Sequence, residues 1–155
     1  MASEELIAII KKGVSAWNRW RQENPEVIPD LSGVRIRRKN LGGINLRKAD
    51  LSGAALPGVK LKGANLEEAD LSGADLMEAD LRGAWMAGAN LSCANLFGAN
   101  LESADLARAN LSGAVIFRED LAESGCADNH IWFETLMNFG FHLCECEMKE
   151  SGRPS

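Results

Sequence analysis

The chain lacks any apolar run approaching the roughly 20 consecutive apolar residues that a bilayer-spanning helix needs, so no transmembrane segment is expected. It also lacks the basic start of a secretory leader: MASEELIAIIKK places acid ahead of a short apolar stretch. A cytoplasmic location is the expectation. Histidine is scarce, with only His130 and His142, both near the C-terminus. No nucleophile–base–orienter set can be assembled from them, so an enzyme is not expected. There is no phosphate loop or dinucleotide fingerprint, because the glycines fall at a repeat spacing instead. Positive charge is not in excess: 17 basic against 22 acidic side chains leave a net charge of −5. Basic residues do gather at Arg35, Arg37, Arg38, Lys39, Arg47, Lys48, Lys60 and Lys62, but no aromatic residue interleaves them for base stacking. Nucleic acid is therefore a disfavoured partner, and that basic face reads as solvated.

What the chain has in abundance is a period. From Leu31 to Leu121 every fifth residue is Leu, Ile or Met: sixteen Leu, Ile36, Ile116 and Met86, nineteen repeats in one unbroken phase. Ala precedes each of these by two positions from Ala64 to Ala114, and Asp or Asn precedes most of them by one. A period of five matches neither a helix nor a flat strand. It fits a coil that turns a corner every five residues, with Leu on the axis, Ala lining it and the other three positions facing water. Ser32, Ser52, Ser72, Ser92 and Ser112 recur every twenty residues, which predicts four repeats per coil and a stacked serine edge. That edge reads as turn chemistry. Asp30, Asp50, Asp70, Asn90 and Asn110 share the same face; stacked Asn can bond along a ladder, whereas stacked Asp would repel.

Units such as ADLSG, ANLEE, ADLME and ANLFG (49–53, 64–68, 74–78, 94–98) resemble the pentapeptide repeat proteins. The resemblance implies an all-β fold, a right-handed quadrilateral β-solenoid of about five coils. The segment 16–33 resembles the N-terminal cap of cyanobacterial members. Four units follow: an N-terminal helical cap over 1–28, the solenoid over 29–123, a C-terminal helical or apolar cap over 124–148 and a disordered tail over 149–155. Residues 4–23 read as one amphipathic helix with Ser3 as N-cap and Leu6, Ile10, Val14 and Trp17 on one face. The first coil is degenerate, with Val34, Lys39 and Ile44 at the Ala position, and local distortion is expected where Lys39 must escape the axis. Glycine closes seven of the ten units on the faces centred on Leu31 and Leu41 and three of the nine on the faces centred on Ile36 and Leu46. This predicts type II turns on the first pair and type I or irregular turns on the second.

The function indicated is a non-catalytic structural or protein-interaction module. Pro57, Met77, Phe97 and Phe117 recur every twenty residues just after the central residue and would align into an exposed apolar ridge. Trp85 is a separate outward aromatic. Beyond the repeats, Ile131, Trp132, Phe133, Leu136, Phe139 and Phe141 are candidates for a lid or a homodimer contact through the C-terminal cap. Cys93 falls at an outward turn position; Cys126 is a candidate disulfide partner of Cys144 or Cys146, with free thiols the default in a reducing compartment. The spacing of Cys126, His130, His142, Cys144 and Cys146 matches no zinc motif well, so no metal and no cofactor is expected. The alternative function is DNA mimicry, as in quinolone-resistance members of the family that act on gyrase and its relatives. A mimic needs carboxylates along the whole rod. Here residues 29–62 carry eight basic and two acidic side chains, while 63–123 carry three basic and eleven acidic.

Overall fold

A computed structural model of the chain describes residues 3–116. Phe117, the expected C-terminal cap and the tail lie outside the described residues.

The N-terminal segment forms two helices, α1 (Glu4–Lys12) and α2 (Val14–Glu23), where one was expected. Gly13 separates them at φ 116 and ψ 173, a state open to glycine and closed to other residues, and it interrupts the helical bonding. Glu4 and Glu5 open α1 and Lys11 and Lys12 end it, each sign at the favourable pole of the dipole. Ser3 stands at the N-cap position, yet its hydroxyl makes no cap bond. Its carbonyl accepts the Ile7 N–H instead.

From Asp30 onward the backbone forms single-residue parallel bridges, each between residues twenty apart: Asp30 with Asp50, Arg35 with Ala55, Asn40 with Lys60, Asn45 with Asn65, and so on to Asn95 with Val115. Four pentapeptides therefore complete one level. No described residue belongs to a continuous strand, so the expected all-β architecture takes the form of ladders one residue wide. A chain that bends every five residues keeps only the residue ahead of Leu in extended pairing geometry. The core is the axis: Leu51, Leu71 and Leu91 are stacked and buried, as are the Ala residues two positions ahead of the central residue from Ala49 to Ala114, with Val34, Ile44 and Val59 filling the same line.

The five backbone N–H groups of a repeat can all be followed. In the unit around Leu51, Asp50 N–H donates to Pro29 one level back, while Leu51 and Gly53 N–H donate to Asp70 and Ser72 one level on. Ala54 N–H closes the corner onto the Leu51 carbonyl at 3.0 Å. The fifth, Ser52 N–H, has no backbone acceptor and is taken by Asp50 Oδ1 at 2.9 Å. The same bond recurs from Ser32 to Ser112, with Asp or Asn always two residues before the donor. This explains the Asp/Asn column: it completes each turn locally. The column lapses at Arg35, Ala55, Lys60 and Trp85; at Ala55 residue 57 is proline and has no N–H to satisfy, while the N–H groups of Arg37, Lys62 and Ala87 have no acceptor among the described residues.

The corners are uniform, which corrects the expectation of two turn types. Every closing residue from Gly33 to Gly113 has positive φ, between 49° and 70°, including Arg38, Lys48, Glu68, Glu78, Cys93, Ser103 and Arg108. Positive φ at the third residue alone, with a bond from the fourth to the first, is type II geometry on all four faces. Stacking imposes it, since each closing N–H must reach the next level whatever its side chain. One corner departs. No bond from Lys39 N–H to the Ile36 carbonyl closes 36–39 among the described residues, and the expected distortion is here. Lys39 escapes the axis by carrying its ammonium to the Lys11 carbonyl at the end of α1, 3.1 Å away.

α1 and α2 lie on the first level, and the N-terminal segment bonds several of its groups, including the Asp30, Asn45 and Arg47 carbonyls and the Asn45 N–H, which a preceding level would have used. Ser3 N–H donates to the Asp30 carbonyl. Trp17 Nε1 donates to the Asn45 carbonyl at 2.7 Å, and Asn18 Oδ1 accepts the Asn45 N–H at 2.8 Å. Asn18 Nδ2 reaches the Gly43 carbonyl, and Arg21 reaches the Val27 and Arg47 carbonyls. Trp17 is fully buried beside Leu6 and Ile10. Its ring lies 5.2 Å from that of Trp20.

Because a Cβ at Gly53 would meet nothing within 4 Å, replacing this glycine tests the φ requirement alone. Gly53→Ala is expected to lower stability by about 1 kcal/mol, the cost of an L-residue in the left-handed region, with no change in fold by circular dichroism. Urea unfolding measures it.

Candidate interaction surfaces

The twenty-residue register sorts the outward residues into columns. On the face centred on Ile36, the position after the central residue reads Arg37, Pro57, Met77, Phe97 from the helical end onward. Met77 is 38% exposed and Phe97 45%, with Pro57 half-buried between its neighbours. Phe117, the fourth expected member, lies outside the described residues. The candidate lid or dimer residues Ile131, Trp132, Phe133, Leu136, Phe139 and Phe141 lie outside them too, with Cys126, Cys144 and Cys146. Trp85 is 57% exposed, between Asn65 and Asp105 on the face centred on Met86, apart from the ridge.

The serine edge acts locally. Ser32, Ser52 and Ser112 hydroxyls each donate to the Asp or Asn of their own repeat at 2.7 Å. Between levels the ladder is bonded where Asn arrives: Asn90 Nδ2 donates to Asp70 Oδ1 at 3.2 Å, and Asn110 Nδ2 to Asn90 Oδ1 at 3.3 Å. Asn95 treats Asp75 the same way on the next face. An Asn above an Asp replaces repulsion with a hydrogen bond.

Charges divide by pairing. Arg47 meets Glu68 at 2.9 Å and Glu67 at 3.5 Å, and Lys48 meets Glu68 at 3.5 Å. Arg82 grips Asp80 with two bonds of 2.8 Å. The Arg47 hydrogen bond lowers the Glu68 pKa, and the Arg82 bond lowers that of Asp80, with Lys62 adding a smaller attraction. The Ser32 hydroxyl lowers the Asp30 pKa. Arg21 is buried with its Nε unbonded, and burial together with Arg47 lowers its pKa. Cys93 is exposed at a corner with φ 56. Among the described residues no cluster of metal-ligating side chains occurs and no helix is long and apolar enough to cross a membrane.

Sequence reasoning missed two things here. One is the turn-completing role of the Asp/Asn column, for which Ala55 beside Pro57 was the available signal. The other is the pairing of Arg47 and Lys48, for which the signal was the twenty-residue offset to Glu67 and Glu68.

The repeat geometry agrees with the comparisons. The pentapeptide repeats model matches in eight copies over residues 30–63, 58–92 and 94–117. The chain belongs to the pentapeptide repeat family, whose solved members imply a β-solenoid. Similar structures include HetL from the cyanobacterium Nostoc sp. strain PCC 7120, at 42% identity and TM-score 0.56 over 56% of this chain. The alignment spans 40% of HetL, a protein involved in heterocyst differentiation regulation. The protein alr5209 from Nostoc PCC 7120 aligns at 34% identity and TM-score 0.53, covering 69% of this chain and 82% of its own. AT2G44920 from the Arabidopsis thaliana thylakoid lumen aligns at 31% identity and TM-score 0.53, covering 76% and 81%. No curated protein sequence matches the chain.

A carboxylate whose folded pKa is depressed stabilises the protein above its unfolded pKa, and the contribution is lost as pH falls through the folded value. Asp80 starts from 3.8 and is depressed by Arg82. Stability is therefore expected to fall as pH drops below about 4, and Arg82→Ala is expected to remove part of that dependence. The part removed is small because the Arg82 guanidinium is accessible to solvent, which screens the pair. Thermal melts across pH on both proteins check this.

Proposed function

We propose that this chain is a non-catalytic protein-interaction module: a right-handed square solenoid of about five levels, closed at its start by α1 and α2, that presents side-chain columns to a protein partner. The observation that carries the reading is the exposed apolar column at Met77 and Phe97, continuous with Pro57. Contiguous exposed apolar surface is disfavoured unless something covers it. The repeat fixes only the inward positions and the turn residues, so the outward ones are free to be chosen for a partner. A gyrase-directed DNA mimic is less well supported, because residues 29–62 are basic and would repel a surface built for DNA. A cytoplasmic location is part of this proposal, and fractionation of native cells tests it.

Met77→Ser combined with Phe97→Ser is expected to keep the fold and to abolish co-purification of the partner from the native host, or to shift the molecular mass by light scattering. If neither partners nor mass change, the ridge is not an interface. For the cap, Trp17→Ala removes a buried ring and the bond to Asn45 together. A loss of about 3–5 kcal/mol with increased aggregation is expected, read from denaturant unfolding and light scattering. A variant as stable and monodisperse as the parent would show that the helices do not close the solenoid.

A further inference from the structure

The helices close the edge of the first level unevenly. The Ser3 N–H bonds the Asp30 carbonyl on the face centred on Leu31, and α2 side chains bond Asn45 and Arg47 on the face centred on Leu46 and Gly43 at the corner before it. On the faces centred on Ile36 and Leu41 no such bond to an edge group occurs among the described residues, and only the first of these also carries a partly exposed central residue and a cluster of arginines. In the level below, Ile36 and Arg38 N–H donate to the Ala55 and Pro57 carbonyls, and Ala55 N–H donates to the Val34 carbonyl. By the same pattern a preceding rung would bond the Arg35 N–H, the Arg35 carbonyl and the Arg37 carbonyl. Among the described residues these three groups have no partner. Ile36 is also the one central residue of the first level left partly exposed, whereas Leu31, Leu41 and Leu46 are buried.

The same edge concentrates uncompensated charge. Arg35, Arg37 and Arg38 are exposed and form no ion pair among the described residues, unlike Arg47 and Lys48. Beneath them stand Ala55, Pro57 and Gly58, none of which can supply a carboxylate. The Arg38 stem lies close over Gly58, so its guanidinium stays at this corner. Lys39 brings its ammonium to the end of α1, where Lys11 and Lys12 add two more cations.

We propose that an acidic, extended segment of a partner protein adds a rung to this open edge, pairing its backbone with Arg35 and Arg37 and its carboxylates with the three arginines. Strand addition uses main-chain bonds for affinity and side chains for selection, and bidentate arginine suits carboxylates. The charge layout also limits the occupant. The acidic levels begin with Glu67 and Glu68, about 5 Å below the first level for each rung crossed. A long polyanion would run along them and be repelled, and no aromatic residue is present at the edge for stacked bases. A segment of about five residues fits the face alone. The proposal rests on reading the chain as an interaction module but uses a surface other than the Met77–Phe97 ridge.

The test uses fluorescein-labelled hexaglutamate and fluorescence anisotropy with the full chain. A protein of net charge −5 has no overall attraction for this probe, so binding reports a local site. Binding is expected at low salt and is expected to fall at least tenfold in the Arg35→Gln, Arg37→Gln, Arg38→Gln triple variant. Arg47→Gln and the Met77→Ser, Phe97→Ser variant are expected to stay within about twofold of the parent. An alternating Glu-Pro peptide of equal charge, which lacks half the backbone donors, is expected to bind several-fold more weakly. Circular dichroism verifies the fold of each variant. The proposal is overturned if hexaglutamate does not bind or if the triple variant binds it as the parent does. It is equally overturned if the Glu-Pro peptide binds equally well, or if a single-stranded oligonucleotide or phosphatidylserine vesicles bind more tightly. Loss of the probe only in the ridge variant would place the site on the ridge, which separates failure here from failure of the interaction reading.

Discussion

The constraint on which this structure depends is the placement of every backbone N–H in a chain that bends once per pentapeptide. Three of the five donors go to neighbouring levels and one closes the corner. The remaining one, on the residue after Leu, has no backbone acceptor, and in most repeats an Asp or Asn two positions back supplies the oxygen. That single requirement links composition to architecture. It sets polar residues ahead of Leu, tolerates proline after it, and leaves the outward positions unconstrained by folding. Burial of the leucine column supplies the driving force, but burial alone would be met by any compact arrangement. The donor arithmetic selects this one.

The period, the four-repeat level, the inward Leu and Ala columns and the escape of Lys39 were all legible in the sequence, because each follows from spacing or from the cost of a buried charge. Three features were not. The break at Gly13 was hidden because the apolar face of residues 4–23 is continuous across it, so periodicity points to one helix. The turn type at Arg38, Lys48 or Glu78 was misread because composition at a corner reports intrinsic preference, whereas the neighbouring levels dictate the dihedral. The turn-completing role of Asp and Asn was not read, although the ladder expected of stacked Asn is present at Asn90 and Asn110.

The surfaces were legible as columns, since they inherit the twenty-residue register, but the pairing of their charges was not. Arg35 and Arg47 look alike in sequence. One sits above Ala55 and the other within reach of Glu67 and Glu68, and that difference needs the corner geometry to be seen.

The register has a consequence for how such a chain can change length. Inserting one full level of twenty residues leaves every downstream column on its original face, merely displaced along the axis. Inserting a single pentapeptide conserves the hydrophobic axis and every turn, yet carries all later columns a quarter of the way around the tube. Such an insertion would be nearly silent to folding and would scramble every composite surface that spans the splice, so lineages that bind through these faces should gain or lose repeats in fours.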